Sequence, residues 1–393
     1  MKQKISVVLI GISGYGNKYV NLLLDQYENA FIKGVVDIHP ERSEAFDRIQ
    51  AEGIPVFQSL EAFYNKHTAD LAVISTPIHL HAKQACEAME HGSHVLCEKP
   101  ATGDINDLDH MKKVQHATGK RIAIGFNLSY TDTVQELKSD IRQGAFGKPL
   151  CFKNIVLWPR TPAYYTRSAW AGKAFGPNGE KIMDSVANNA TSHFLHHMYY
   201  LLGPEAEESA RLKDVTAELY KANDIETFDT CAMRAHTLDG VEILYFASHA
   251  VQQVVQPIFH FKFEHATVIH DMNQGDGARI EARFADGTMK SYSTPNEHSF
   301  AKLQVCFEAI RGERERILCG LDAATPHVQT IDAMHRSVPD IPAFPPEMIH
   351  VEQHDKLVWV PELQETLVRC FNEEKLPSEL NVPWSKAGKT MTL

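Results

Sequence analysis

The stretch Ile5-Ser6-Val7-Val8-Leu9-Ile10-Gly11-Ile12-Ser13-Gly14-Tyr15-Gly16 decides the fold. Six strand-forming residues run into a glycine cluster, and a helical pattern follows to about Tyr27. Strand, tight turn and helix in that order is the arrangement that holds the phosphates of a dinucleotide. Gly11 is expected to make the turn, and Gly16 to let the helix pack closely on the strand. Ser13 stands at the middle glycine position of G-x-G-x-x-G, with Gly14 and Tyr15 completing the turn. The physical requirement is backbone N–H groups close to a diphosphate at a helix N-terminus, which a small Ser beside Gly can meet. Asp37 follows 21 residues past Gly16 (37 − 16), at the end of the next strand-like run. An acid there accepts hydrogen bonds from a ribose 2′-hydroxyl and repels a 2′-phosphate, which favours NAD over NADP.

The same alternation continues outward. Phe31–Asp37, Val56–Phe57, Leu71–Ser75, His94–Cys97 and Arg121–Phe126 read as strands, with helices at about 79–91 and 104–118 and one opening at Pro40. Nearly all-apolar strands alternating with helices imply a parallel, doubly wound sheet covered on both faces. After residue 130 the rhythm changes. Strands are expected at 150–158, 214–220, 227–235, 241–247, 260–264, 267–269, 279–284 and 289–292, with hairpin turns at Asp239-Gly240 and Asp286-Gly287. Helices are expected near 187–202, 298–311 and 322–336, and the tail from 376 reads as extended and polar. The fold class is therefore an α/β Rossmann domain, residues 1–127, followed by an α+β domain with a large, mostly antiparallel sheet, residues 128–393.

Composition limits the partners. The 393 residues carry 39 Lys plus Arg against 50 Asp plus Glu, a net charge of −11. That balance argues against nucleic acid or an anionic membrane as a partner. Lys2 and Lys4 before Ile5–Ile10 imitate a signal peptide, but the apolar run is too short and reads better as a buried strand. No run of about 20 apolar residues is present to span a membrane. The 7 cysteines are odd in number and never spaced C-x-x-C, which suits a reducing cytoplasm without disulfides.

Three further stretches carry a resemblance. They are Thr76-Pro77-Ile78-His79-Leu80-His81, Gly92-Ser93-His94-Val95-Leu96-Cys97-Glu98-Lys99-Pro100 and Gly125-Phe126-Asn127. With the glycine turn they make residues 5–130 similar to the Gfo/Idh/MocA family of NAD(P)-dependent oxidoreductases. The resemblance implies that Thr76, Pro77, His81, Glu98 and Lys99 lie at the cofactor, and that Lys99 is catalytic. It also implies a catalytic His193 on a helix of the second domain. Asn189 stands where the family usually has Asp, His196 where a second Asp is common, and Leu128-Ser129 where an Arg usually follows G-F-N. Asp184 is the nearby carboxylate that can compensate if its loop folds back. Relatives commonly associate through the open face of the second sheet, which implies a homodimer or homotetramer.

The chemistry of these residues suits hydride transfer at a secondary alcohol of a sugar, cyclitol or related polyol. His193 is the expected acid/base, since imidazole exchanges protons near neutrality. Lys99, at the carboxyl end of a parallel strand, would stabilise alkoxide charge. Asn189, four residues before His193, would share its helix face and orient the ring. The irregular aromatic stretch Trp158–Lys173 reads as a substrate loop, with Tyr165, Arg167 and Trp170 at the sugar; packing at a subunit interface is the rival account. His193, His196 and His197 have converging spacing, but no carboxylate or cysteine joins them in a ligand pattern, so no metal is expected. Two other functions fit the same residues: a non-catalytic nucleotide- or sugar-binding regulator, and a glycosidase that uses NAD for transient oxidation.

Overall fold

A computed structural model describes residues 4–275, 277–295 and 300–393. Lys2 and the first two residues of the helix expected at 298–311 lie outside them. The strands are β1 (Ile5–Ile10), β2 (Ala30–Val36), β3 (Val56–Phe57), β4 (Leu71–Ile74), β5 (His94–Cys97), β6 (Ile122–Ile124), β7 (Pro149–Leu157), β8 (Leu212–Tyr220), β9 (Thr230–Thr237), β10 (Glu242–Ser248), β11 (Val255–Phe263), β12 (Ala266–Asp271), β13 (Ile280–Phe284), β14 (Met289–Tyr292), β15 (His350–Val351), β16 (Val358–Trp359) and β17 (Met391–Thr392). The helices used below are α1 (Gly16–Asp25), α2 (Ile78–Glu90), α3 (Ile105–Thr118), α4 (Ser192–Leu201), α5 (Ala301–Ile310) and α6 (Leu363–Glu373).

The chain divides into two compact units. The first contains a six-stranded parallel sheet in the order β3-β2-β1-β4-β5-β6. Its central strands are apolar because both faces are buried: Val7, Val8, Leu71, Ala72 and Leu96 are inaccessible to solvent. The order reverses between β1 and β4, the point at which doubly wound sheets open a crevice beyond the strand ends. Local signals act as expected. Asp104 caps α3 by accepting from the Asn106 N–H, and Gly119 ends it in the left-handed conformation. Pro40 opens only a three-residue 3-10 turn, because the Ser43 hydroxyl bonds Asn17 Oδ1 and the Ile12 carbonyl and draws the chain away.

The seam falls at Tyr130, not at residue 127, and residues 300–324 cluster with the first unit instead of continuing the second. Polar anchors explain this return. The Ile124 N–H donates to the Cys319 carbonyl at 2.8 Å, extending the edge of β6. The Tyr130 hydroxyl bonds the carbonyls of both Ile124 and Cys319, and the Arg121 guanidinium donates to the Ala309 carbonyl. The α5 side chain Lys302 is fully buried in this unit.

The second unit holds a nine-stranded sheet, β14-β13-β12-β11-β7-β10-β9-β8-β17, antiparallel except where β10 runs parallel to β7. Period-two alternation sends its residues to two faces. Phe259 and Phe261 meet His197 of α4 on one face. Ile155, Leu157, Leu244 and Phe246 pack on the other against Leu363, Leu367, Cys370 and Phe371 of α6. The sequence reading missed α6, although apolar residues at 363, 367, 370 and 371 show its period. The helix is clamped at its carboxyl end. Buried Lys153 donates to the Phe371 carbonyl at 2.9 Å and pairs with Glu374 at 3.0 Å, where helix polarity favours a cation. The face through which subunit association was expected is thus occupied over β7 and β10 by the chain's own helix. The tail expected to be extended does place β17 against β8, after a turn at Pro377–Leu380. All seven cysteines are buried and free.

Leu367 is 1% exposed at the centre of this packing. Leu367→Ala is expected to cost about 2–5 kcal/mol, read as a lower urea midpoint; an unchanged midpoint would show that α6 is not integral to the unit.

Candidate functional site

The phosphate turn has the expected backbone. Gly11 and Gly14 take positive φ values of 78° and 56°. A Cβ on Gly11 would meet Ser75 and Thr76, and one on Gly16 would run into the Gly11 carbonyl. Nothing lies within 4 Å of a Cβ built on Gly14, so this side of the turn is open. Asp37 sits just beyond β2. Its Oδ2 accepts from the Ile12 N–H at 2.9 Å, and its Oδ1 from the His39 N–H at 2.8 Å. Among the described residues, no protein acceptor takes the N–H of Ser13, Gly14 or Tyr15. Those donors precede α1, whose N-terminus carries partial positive charge. An open turn with unused N–H groups beside a fixed carboxylate fits a diphosphate and the ribose next to it.

Thr76, Pro77 and Glu98 stand just beyond the carboxyl ends of β4 and β5, and His81 lies in the first turn of α2. The Thr76 hydroxyl donates to Gln84 at 2.6 Å. Pro77 precedes α2 as its cap residue. His81 is 1% exposed, and its two ring nitrogens lie 2.8 Å from the carbonyls of Thr76 and Pro100. It ties the Thr-Pro turn to the Glu-Lys-Pro loop. Burial pulls its pKa below the usual imidazole value, against the opposing effect of the two carbonyls.

Glu98 is buried at the centre of a network. Its Oε1 accepts from the Tyr19 hydroxyl at 2.6 Å and from Lys302 Nζ at 2.5 Å, and its Oε2 from the Lys99 N–H at 3.3 Å. Burial alone would raise its pKa. The Lys302 ammonium and the hydrogen bonds from Lys302 and Tyr19 outweigh burial and hold the carboxyl below its ordinary range. A Cβ on Gly125 would lie 2.7 Å from Oε2, so the glycine of Gly-Phe-Asn is there for the carboxylate. The Lys302 ammonium also lies 5.0 Å from the Tyr15 ring centroid, and Tyr15 stacks on Phe300. Sequence reasoning missed Lys302; a lysine on an amphipathic helix carries no signal of burial.

The second unit holds the other candidates. His193 lies in the first turn of α4, partly buried. Asn189 is not on that helix: it occupies the turn before Thr191, and the Ser192 hydroxyl donates to its carbonyl. The shared helix face expected from the spacing is therefore absent. Asp184 does fold back, as its Oδ1 accepts from Asn189 Nδ2 at 2.8 Å and its Oδ2 from the Gly172 N–H at 2.7 Å. His196 and His197 are buried against Tyr200 and against Phe259 and Phe261, and burial lowers both pKa values, that of His197 to about 3. No three His, Cys, Asp or Glu side chains converge as a metal-binding group among the described residues.

In the aromatic stretch, Pro162–Thr166 forms one short helical turn. Arg167 is exposed and lies 3.7 Å from the Tyr164 ring centroid and 5.2 Å from that of Trp170. Tyr165 and Trp170 are half-buried, and the Tyr165 hydroxyl is enclosed without a hydrogen-bond partner. Lys173 is taken up by Glu226 at 2.8 Å.

The sheet order, the open glycine turn and Asp37 define the class: the first unit is a dinucleotide-binding Rossmann domain. Residues 5–126 match the model of the Gfo/Idh/MocA family, described as an oxidoreductase family with an NAD-binding Rossmann fold. The chain is 31% identical to an inositol 2-dehydrogenase of Renibacterium salmoninarum over 147 residues, 37% of this chain and 44% of that protein. It is 28% identical to a glucose-6-phosphate 3-dehydrogenase of Bacillus subtilis over 207 residues, 52% and 56% of the two chains. The match thus spans about half the length of these relatives. A likeness of fold covers more: the WlbA dehydrogenase of Bordetella pertussis, solved with NADH and UDP-GlcNAcA, superposes with a TM-score of 0.69 at 23% identity, over 86% of this chain and 97% of that one. No helix among the described residues is long and apolar enough to cross a membrane.

Lys302→Met would leave the Glu98 carboxylate buried without its ammonium, at a cost of about 3–5 kcal/mol. The pH response should invert. In the native protein the lowered Glu98 pKa contributes stability that is complete above the unfolded carboxylate pKa of about 4.3 and is lost as pH falls through the folded value. In the variant, protonation relieves the buried charge, so stability should rise as pH falls from 7 towards 5. Urea melts at the two pH values check both statements; a variant as stable as the parent at pH 7 would refute them.

Proposed function

We propose that this protein is an NAD-dependent oxidoreductase that moves a hydride between a secondary alcohol of a sugar, cyclitol or related polyol and the nicotinamide. The observation that carries the reading is the open glycine turn with its unused N–H groups beside Asp37, within the stretch that matches the oxidoreductase family. The relatives named inositol 2-dehydrogenase and glucose-6-phosphate 3-dehydrogenase support this substrate class. When bound, the nicotinamide supplies the hydride acceptor. Ser13, Gly14 and Tyr15 offer the diphosphate their N–H groups. Asp37 accepts from the ribose hydroxyls and disfavours a 2′-phosphate.

Lys99 follows β5, with Glu98 locked immediately before it. Its ammonium stabilises negative charge on the alcohol oxygen. His193 takes or returns the hydroxyl proton. Asn189, held by Asp184, is the positioning residue for the turn that leads into His193. Tyr165, Arg167 and Trp170 contact the sugar. A homodimer or homotetramer in the cytoplasm stays part of the proposal, with an association surface away from the strands that α6 covers.

A panel of sugars, sugar acids and cyclitols assayed for NADH formation tests the reading. On the accepted substrate, Lys99→Ala and His193→Ala are each expected to lower kcat/KM by about 10²–10⁴, with NADH affinity changed less than threefold. Asp37→Ser should shift the preference towards NADP. Full activity in both the Lys99 and His193 variants would refute the assigned roles.

A further inference from the structure

Arg160 and His249 go beyond the residues assigned above, and both lie in the second unit beside Tyr164. Backbone bonds fix the segment. The Trp158 N–H donates to the Ser248 carbonyl at 2.9 Å, and the Arg160 N–H to the His249 carbonyl at 3.2 Å. The Arg160 guanidinium lies 5.7 Å from the Trp158 ring centroid and 5.1 Å from that of Tyr164. Its hydrogen bonding to protein is one 3.5 Å contact from Nη1 to the Pro159 carbonyl. Its Nε is buried with no acceptor. Arg167 lies over the same Tyr164 ring, so two guanidinium groups flank one aromatic side chain.

The nearby carboxylates are engaged by other donors. Asp184 bonds Gly172 and Asn189. Asp229 accepts from the N–H groups of Ala222 and Asn223, from Asn223 Nδ2 and from the Thr230 hydroxyl. Neither Arg160 nor Arg167 makes an ion pair among the described residues. In a chain of net charge −11, two such cations around one ring are a local property.

Two further polar atoms are enclosed here without partners: His249 Nε2 and the hydroxyl of Tyr165, whose ring meets that of Tyr164. The state of His249 follows from its other nitrogen. Nδ1 lies 2.7 Å from the Trp158 carbonyl, which only accepts, so Nδ1 carries the proton. Burial, with Arg160 and Arg167 nearby, pushes its pKa down to about 3, so Nε2 offers a lone pair at neutral pH. Burial also raises the Tyr165 pKa, leaving a neutral phenol able to donate. The cluster therefore presents a cationic planar edge, one phenolic hydroxyl and one acceptor. Buried polar groups are costly unless paired. A neutral polyol satisfies the hydroxyl and the lone pair but leaves the guanidinium charge uncompensated. An oxyanion takes up the Nε/Nη edge in charge-assisted, bidentate bonds.

We propose that Arg160, supported by Arg167, binds an oxyanion carried by the substrate, and that His249 Nε2 accepts from a neighbouring substrate hydroxyl, so that the substrate is an acidic sugar derivative: a sugar carboxylate or a sugar phosphate. The proposal rests on the reading of this unit as the substrate side of a sugar oxidoreductase.

The test uses the full chain with glucose, galactose and mannose, their uronates and their 6-phosphates. Each is assayed for NADH formation from NAD and for equilibrium binding in the presence of NADH. At least one charged member should exceed its neutral parent by about 10- to 100-fold in kcat/KM or affinity, the range set by a hydrogen bond to a charged group. The uronate and phosphate arms identify which oxyanion is bound. Arg160→Gln should abolish the preference for the charged member, and Arg160→Lys, which keeps the charge but loses the planar edge, should restore only part of it. Unchanged NADH binding in both variants reports an intact fold. Binding that depends on Arg160 without NADH formation supports the oxyanion site and overturns the dehydrogenase reading. Equal use of neutral and charged members, binding of none of the charged ones, or a preference that survives Arg160→Gln overturns the oxyanion site and leaves the dehydrogenase reading to its own test.

Discussion

The first unit depends on one buried carboxylate. Glu98 collects a phenol from α1, an ammonium from α5 and the N–H of Lys99, and it lies against a glycine at position 125. Such an arrangement is close to all-or-none. The ion pair costs several kcal/mol to desolvate, and only a complete set of partners offsets that. Each partner therefore constrains a different part of the chain. Gly125 must lack a side chain, Tyr19 must point into the unit from α1, and residues 300–324 must return to the first unit to bring Lys302. The Glu-Lys-Pro motif is more than a carrier of Lys99, because the glutamate fixes where the backbone of the lysine lies.

The second unit uses the same economy with different groups. Asp184 draws together the Gly172 end of the aromatic stretch and the Asn189 turn that leads into α4. An aspartate at 189 would stand beside this carboxylate and repel it, whereas asparagine donates to it. The departure from the family pattern at 189 and the position of Asp184 are thus one feature. Across the sheet, Lys153 and Arg234 bind the carboxyl end of α6 and the residues that follow it, Arg234 pairing with Glu242 and Glu379. Over β7 and β10 the sheet is covered on that side by the chain itself.

The parts that could be read from sequence are those with short-range physics. Five apolar residues and Ser6 before Gly11 make a buried strand, and positive φ needs glycine at 11 and 14. Asp104 and Gly119 delimit α3 for the same local reason. What was lost depends on distant partners or on competing local signals. Lys302 is an ordinary helical lysine until Glu98 is placed beside it. Asn189 has helical spacing from His193, but the helix starts only after Thr191, so the periodicity was extended one turn too far. Lys173 ends the aromatic stretch with no sign in the sequence that Glu226 takes its ammonium. Arg160 is one basic residue in an aromatic stretch, and its partial burial and unused Nε set it apart from the exposed Arg167, which donates to the Tyr164 carbonyl.

That separation sharpens the meaning of the net charge. An acidic surface repels an acidic small molecule at long range, yet at physiological salt this field is screened within about 8 Å. Among buried aromatic rings the screening is weaker, and a guanidinium without a direct carboxylate partner attracts an anion more strongly than it would at the surface. The negative surface and the cationic enclosure therefore do not cancel. The surface discourages large polyanions, whose charge must lie along it, while a single oxyanion that reaches Arg160 meets the less screened charge. Selection by size of the anion follows from where the cations sit, with no change in their number.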